Sequence, residues 1–170
     1  EVKDLNAHRR ITENTDGSVS FGTLYELPTE PRSRCEVRYT VFDDGTVNVK
    51  LVYEPLAEMP PMPEFGILFQ MDADYDVFRW YGLGPEENYC DRNTGAKLGI
   101  WETGVKENLS HYLIPQECGN RTGVRNLTVS DNAQHGLTFT KVNTPFEMSV
   151  LPYSAYELEN AMHLDELPNV

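Results

Sequence analysis

Apolar and polar residues alternate in the first third of the chain, which is the period of a β-strand with one buried face. Residues 34–42 and 47–53 carry the clearest alternation. Asp44-Gly45 lies between them, and an Asp-Gly pair between two such runs predicts a hairpin because Gly supplies the positive φ that the turn needs. A second pair, Asp16-Gly17, predicts a similar turn nearer the N-terminus.

Further strands are predicted from apolar runs bounded by turn residues, at 65–71, 77–81, 123–129, 137–142 and 146–151. The prolines between residues 55 and 63 predict a loop before them, because proline cannot donate to a ladder. Two short helices are predicted. One covers 85–88 and has Pro in its first turn, and the other covers 153–163, where Ser154 and Glu157 have capping-box spacing. Together these elements predict an all-β, antiparallel sandwich with one or two short helices.

Composition bounds the possible functions. A chain of 170 residues suits one well-buried domain, so we predict a single domain over 1–170. Its net charge of −13, from 27 acidic and 14 basic residues, argues against a nucleic acid or an anionic membrane as partner. No apolar run approaches the roughly 18 residues that span a bilayer.

Three cysteines, Cys35, Cys90 and Cys118, show neither the spacing of a metal site nor that of a redox motif. Their number is odd, so at least one lacks an intramolecular partner. We therefore predict three reduced thiols rather than a structural disulfide.

Two blocks of sequence carry the most specific pattern. The first runs from Arg79 to Trp101, and the second runs from Tyr112 to Arg125 and contains Tyr-x-x-Pro-Gln-Glu-x-Gly-x-Arg. In this order and spacing, they resemble the C-terminal, small-chain type domain of the large β-galactosidases of glycoside hydrolase family 2. The matching residues of the first block are Trp80, Tyr81, Gly82, Gly84, Pro85, Glu87, Asn88, Tyr89, Asp91, Arg92, Thr94, Gly95 and Ala96.

The resemblance implies a fold: a large antiparallel two-sheet supersandwich, similar to galactose mutarotases. It also implies that a galactose-contacting Trp, in a Gly-Gly-Asp-Asp-Ser-Trp segment, belongs beyond Val170. We therefore expect this chain to be a C-terminal small-chain-like domain that is truncated before its last strands.

The resemblance further implies that catalysis lies elsewhere. The enzymes of this family hydrolyse terminal β-D-galactosides with retention of configuration. Their catalytic glutamates lie in a separate (β/α)₈ barrel, so we expect no catalytic residue in this chain. We expect the domain to shape the active-site mouth and the oligomer, with the other domains and the β-galactoside sugar as partners. No cofactor is expected in this chain, and Mg²⁺ and a monovalent cation would act through other domains. The parent enzyme would be bacterial, and either a cytoplasmic or a periplasmic location is compatible with the resemblance.

No metal or phosphate site is predicted from the remaining motifs. Asp72, Asp74 and Asp76 begin like a calcium loop, but Val77 and Leu83 stand where an EF-hand needs Gly and Glu. This segment is predicted as a polar turn. The Gly82-Leu-Gly84 run lacks the rest of a phosphate-loop pattern and is predicted to turn the chain.

The second block supplies candidate carbohydrate contacts, and two interpretations stay open. The polar groups could bind sugar hydroxyls beside an aromatic ring. Alternatively, an arginine of this block pairs with Glu117, Glu87 or Asp91 and holds two loops together. We favour this second interpretation. The candidates are Tyr112, Glu117, Asn120, Arg121 and Arg125.

A different class of function is a stand-alone carbohydrate-binding or aldose-epimerase-like module. His111 would then act as general acid and Glu117 as base. Because a shared fold does not transfer chemistry, we favour the β-galactosidase interpretation.

Overall fold

Antiparallel strands make up most of the regular structure in the computed structural model, which describes residues 2–5, 11–62 and 64–169. The chain divides into two compact units, Glu1–Phe69 and Gln70–Val170. The predicted all-β class with short helices is confirmed. The single domain and the joining of all sheets into one supersandwich stay predictions.

The first unit contains a five-stranded sheet in the order β1-β3-β4-β5, with β2 also paired to β3. Its strands are β1 (Lys3–Asp4), β2 (Thr12–Glu13), β3 (Val19–Leu27), β4 (Ser33–Val41) and β5 (Val47–Glu54). The predicted hairpin joins β4 to β5, and the second predicted turn joins β2 to β3. Gly45 and Gly17 both take φ of 84° there, as these turns require.

The prediction of a strand at 65–71 is wrong. These residues pair with no other strand in the described part of the chain, and Leu68 is 85% exposed. An apolar run favours an extended backbone, but a strand also needs a neighbour for its hydrogen bonds. The last residue of the run, Met71, packs against the core of the second unit.

The second unit contains a four-stranded sheet in the order β10-β9-β6-β7 and a two-stranded sheet of β8 and β11. Its strands are β6 (Val77–Gly84), β7 (Lys97–Gly104), β8 (Arg121–Val124), β9 (Asn126–Ser130), β10 (Gly136–Thr140) and β11 (Phe146–Met148). Its helices are α1 (Ala155–Asn160) and 3₁₀ turns at Lys106–Asn108 and Leu164–Glu166.

The predicted strand at 123–129 becomes two strands in the structure. β8 ends at Val124 and β9 begins at Asn126, and Gly123 takes the left-handed φ of 63° just before the break. The backbone of Arg125 in the gap donates to Tyr81 O at 2.8 Å. β7 was not predicted, because its two glycines dilute the apolar alternation.

The two predicted helices have opposite outcomes. α1 forms, with both halves of the capping box present: Ser154 Oγ accepts from Glu157 N, and the Glu157 carboxylate accepts from Ser154 N. Residues 85–88 form no helix. There the backbone N–H of Asn88 donates to Asn120 O at 2.9 Å, so a distant partner replaces the helical one.

The core of the second unit lies on the inner face of the four-stranded sheet. Phe78 and Trp80 alternate with exposed Arg79 and Tyr81 along β6, as a strand requires. The two inner rings stack with their centres 5.2 Å apart. The buried members of the core are Phe78, Trp80, Val124, Leu127, Val129 and Met148.

Candidate functional site

One carboxylate joins the two sequence blocks. Oε1 of Glu87 accepts hydrogen bonds from the hydroxyl of Tyr112 and from Nη2 of Arg92, the latter at 2.8 Å. Oε2 accepts the backbone N–H of Gly119 at 2.9 Å. Arg92 also donates to the Tyr112 hydroxyl at 3.1 Å. We call these four residues, Glu87, Arg92, Tyr112 and Gly119, the Glu87 clasp.

The clasp keeps its carboxylate ionised. Burial raises the pKa of Glu87, but the hydrogen bonds from Tyr112 and Gly119, with a further contribution from the charge of Arg92, outweigh it and leave the pKa below its ordinary value. The hydrogen bond to Glu87 raises the pKa of Tyr112. A general acid in glycoside hydrolysis needs the opposite, a carboxyl whose pKa is raised toward neutrality.

Tyr89 lies next to the clasp in a protected position. Burial, followed by the negative charge of Glu87, raises the pKa of Tyr89 to about 12. The guanidinium carbon of Arg92 lies 5.0 Å from the centre of the Tyr89 ring. The phenol therefore stays protonated at any physiological pH.

Asn88 forms a second link between the blocks and is 1% exposed. Its Oδ1 accepts from N and Oγ1 of Thr122, at 2.9 and 2.6 Å. Its Nδ2 donates to the carbonyls of Leu83 and Glu86, at 3.3 and 3.0 Å. Its own carbonyl accepts from Asn120 Nδ2 at 3.0 Å. A buried amide with every polar atom engaged is a structural feature rather than a ligand contact.

Arg121 lies buried against the core, with 4% of its surface exposed. Its Nη1 donates to the carbonyls of Gly119 and Asn120, both at 3.1 Å, and its Nη2 donates to Asn108 Oδ1 at 2.9 Å. The guanidinium carbon lies 5.0 Å from the Trp80 ring centre. Burial lowers the pKa of Arg121, although the charges of nearby glutamates oppose the shift.

The hydrogen bonds of the Arg121 guanidinium end on carbonyl and amide oxygens. The ion pair of Glu87 is formed with Arg92, within the first block. The second block reaches Glu87 through the Tyr112 hydroxyl and the Gly119 N–H. With 4% of its surface exposed, Arg121 offers little surface to a ligand, and its role in sugar binding stays a prediction.

The other sugar-contact candidates have different surroundings. The Tyr112 hydroxyl is held in the clasp, and Asn120 bridges Asn88 O and Glu147 Oε2. Glu117 is exposed. Arg125 lies over Tyr81, with its guanidinium carbon 5.3 Å from the ring centre, and so it lies on the opposite face of β6 from Arg121. Their roles in sugar binding stay predictions.

Sequence reasoning missed Asn108, which is 5% exposed. Its Nδ2 donates to Gly119 O, 11 residues away, and to Val150 O, 42 residues away, while its Oδ1 accepts from Arg121. Contacts at such separations leave no local pattern, so no sequence signal marks this residue.

The acidic segment that begins like a calcium loop forms a turn. The segment around Asp72 and Asp74 is a turn, as predicted, closed by Tyr75 N–H donating to Asp72 O at 3.1 Å. Within residues 2–5, 11–62 and 64–169, no group of three His, Cys, Asp or Glu side chains could hold an ion. The same ranges contain no helix that is long and apolar enough to cross a membrane. All three cysteines are free thiols.

Comparison with known proteins decides the family. The sequence profile of the β-galactosidase small chain matches residues 1–170. The chain belongs to the β-galactosidase small chain family. The resemblance is therefore confirmed. The Glu87 clasp and Asn88 connect the two sequence blocks that carry it.

Relatives of the small-chain segment occur in several bacteria. The chain is 43% identical over 161 residues to a β-galactosidase of Halalkalibacterium halodurans, covering 93% of this chain and 16% of that protein. It is 45% identical over 134 residues to a β-galactosidase of Priestia megaterium, covering 79% and 13%. It is 39% identical over 172 residues to the β-galactosidase small subunit of Latilactobacillus sakei, covering 95% and 53%. The chain thus spans about half of that small subunit and a far smaller share of the longer enzymes.

Proposed function

We propose that this chain is a non-catalytic part of a β-galactosidase that hydrolyses terminal β-D-galactosides, and that it shapes the active-site mouth and the oligomer of that enzyme. Its partners would be the remaining domains of the enzyme, and the galactoside would bind in the complete protein. Mg²⁺ and a monovalent cation would act through those other domains.

The state of Glu87 carries the proposal. Both of its oxygens accept hydrogen bonds within the clasp, and its pKa is lowered, so it serves neither as a general acid nor as a free nucleophile. Asn88 is equally occupied by its neighbours. Two of the residues that carry the resemblance thus hold loops in place, which is consistent with a domain that shapes a site built by others.

The span of the relatives supports the same interpretation. The matched segment makes up 16% of the H. halodurans enzyme and 53% of the L. sakei small subunit. A segment of this size, with its polar cluster satisfied internally, is consistent with a supporting part of a larger enzyme.

A chimera tests the proposal. In the H. halodurans β-galactosidase, the matched segment is deleted in one variant and replaced by this chain in another, and hydrolysis of p-nitrophenyl β-D-galactopyranoside is measured. We expect the deletion to abolish activity and the replacement to restore it. A second replacement carrying Glu87→Ala is expected to restore less, because it lacks the clasp.

The purified 170-residue chain provides the control. We expect it to hydrolyse no galactoside and to leave the anomers of galactose interconverting at the uncatalysed rate. Hydrolysis by the chain alone would place catalytic groups in it and overturn the proposal. Acceleration of anomer exchange would favour the epimerase-like alternative, and a deletion variant with full activity would remove the supporting role.

A further inference from the structure

An exposed apolar segment lies at the end of the first unit. Residues 65–69, Phe-Gly-Ile-Leu-Phe, carry no charge, although the whole chain has a net charge of −13. About half or more of each large side chain is exposed: 49% for Phe65, 50% for Ile67, 85% for Leu68 and 50% for Phe69. We call these five residues the 65–69 segment.

The middle of this segment offers backbone groups for a partner strand. Gly66, Ile67 and Leu68 donate and accept no hydrogen bond among the residues that the structure describes. The Phe65 ring contacts the Tyr53 ring of β5, with the ring centres 5.7 Å apart. That contact holds the start of the segment on the first unit, while the three residues that follow stay accessible to another chain.

We propose that two copies of this chain associate through the 65–69 segment, as an antiparallel pair of strands with a twofold axis at Ile67. Exposed backbone groups bind extended segments of other chains in this way. In such a pair, Phe65 of one copy lies opposite Phe69 of the other, and Gly66 lies opposite Leu68. The inference concerns association of the chain with itself and does not rest on the function proposed above.

The side chains of the segment fit its own reversed copy. The highly exposed Leu68 lies opposite Gly66, where a Cβ would meet nothing within 4 Å, so space is available for the leucine of the other copy. Phe65 and Phe69 meet across the pair, and aromatic cross-strand pairs stabilise sheets. The same surface serves both copies, as a closed twofold dimer requires.

Gly66 and Leu68 also supply the hydrogen bonds of the pair. Opposed residues in an antiparallel pair alternate between those that exchange two N–H···O=C bonds and those that exchange none. Gly66 and Leu68 belong to the bonded class in this arrangement, which uses only backbone groups that the single chain leaves without a partner among its described residues. Ile67 then faces Ile67 of the other copy in the class with the shorter Cα–Cα distance.

The charge of the chain favours a contact at this segment. Two copies of net charge −13 repel each other, so they associate best through a surface without charge. The register also places Glu64 opposite Gln70 rather than opposite a second glutamate. We therefore expect added salt to strengthen the association, because it screens the repulsion between the two copies.

Analytical ultracentrifugation of the 170-residue chain, from about 5 μM to about 500 μM, tests the proposal. We expect the mean mass to rise from 19.4 kDa toward twice that value. The dissociation constant should be on the order of 0.1 mM for so small an interface. Leu68→Asp should weaken the association about tenfold or more. Leu113→Asp adds the same charge at a leucine that is 93% exposed and should associate as the original chain does.

A cysteine at the twofold axis tests the register. The cysteine variants also carry Cys90→Ser, because Cys90 is an exposed thiol. Ile67→Cys should form a disulfide-linked dimer when oxidised glutathione is added, since the two side chains face each other at the axis. Leu113→Cys in the same background should form far less of it, and Leu68→Asp should slow the linkage of Ile67→Cys.

Several results would overturn the proposal. These are a monomer at every concentration, association that a folded Leu68→Asp leaves unchanged, equal linkage of Ile67→Cys and Leu113→Cys, and a mean mass that grows past that of a dimer. If Leu68→Asp does not fold, Gly66→Val replaces it, because its side chain fills the space that Leu68 of the other copy needs. The chimera measures hydrolysis instead, so failure of one test leaves the other interpretable.

Discussion

The guanidinium carbon of Arg121 lies 5.0 Å from the centre of the Trp80 ring, beneath the loops that hold the family motif. The ring is 1% exposed and the arginine 4% exposed, so this cation–π contact is shielded from water. The same guanidinium bonds two carbonyls of residues 119–120 and the amide of Asn108. One buried cation thus ties the second sequence block to the first.

Removing that cation should destabilise the second unit. We expect Arg121→Ala to lower the free energy of unfolding by about 2–4 kcal/mol, because the contact with the ring and the charged hydrogen bonds are lost together. Urea unfolding followed by tryptophan fluorescence measures the change. Arg32→Ala removes an exposed ion pair with Glu26 and should change stability by less than about 1 kcal/mol. Equal effects from the two substitutions would contradict a special role for Arg121.

The Glu87 clasp predicts a specific loss of stability in acid. The folded-state pKa of Glu87 is lowered, so the unfolded chain binds the proton at a higher pH than the folded protein. The stabilisation is therefore present above the unfolded pKa of about 4.3 and is lost as pH falls through the folded value. We expect Glu87→Gln to flatten the fall in unfolding free energy below about pH 5.

Glu86→Gln provides the control for that pH profile, because Glu86 is the exposed neighbour of Glu87. Its profile should follow that of the original chain. If the profiles of the original chain, Glu87→Gln and Glu86→Gln coincide below pH 5, the Glu87 carboxylate does not titrate as inferred.

Tyr89 predicts a late step in alkaline titration. Its pKa of about 12, raised by burial and by the charge of Glu87, lies above the usual phenol value of about 10. A raised folded pKa gives stabilisation that is complete below the unfolded value and is lost as pH rises toward the folded one. The pKa of Tyr112 is also raised, so both tyrosines contribute to the late step in near-ultraviolet absorbance. Tyr89→Phe should lower the amplitude of that step, and Tyr156→Phe should leave it unchanged. A Tyr89→Phe curve with the full late amplitude would disprove the assignment.

Two glycines of the first block should respond oppositely to the same substitution. A Cβ on Gly84 would lie 2.7 Å from Trp101 Cδ1 and 2.9 Å from Trp80 Cζ2, so Gly84→Ala should cost about 1–3 kcal/mol of stability through overpacking. A Cβ on Gly95 meets nothing within 4 Å, and Gly95→Ala should be neutral or slightly stabilising. Thermal unfolding of both variants checks the pair, and a Gly84→Ala protein as stable as the original would show that the rings can shift.

Local features of the fold were predictable from sequence, and distant contacts were not. The β4–β5 hairpin and the α1 capping box follow from residues a few positions apart, so their patterns suffice. The helix predicted at 85–88 fails because Asn88 bonds Thr122, 34 residues away. For the same reason, the sequence pointed to Arg121 as a polar cluster residue but gave no indication that it lies against Trp80.

Gly123 divides one sequence motif between two surfaces. Its left-handed φ of 63° and the break at Arg125 send Arg121 to the buried Trp80 and Arg125 to the exposed Tyr81, although the two arginines are only four residues apart. A substitution at Gly123 that disfavours this left-handed φ would therefore disturb a buried and an exposed arginine contact together.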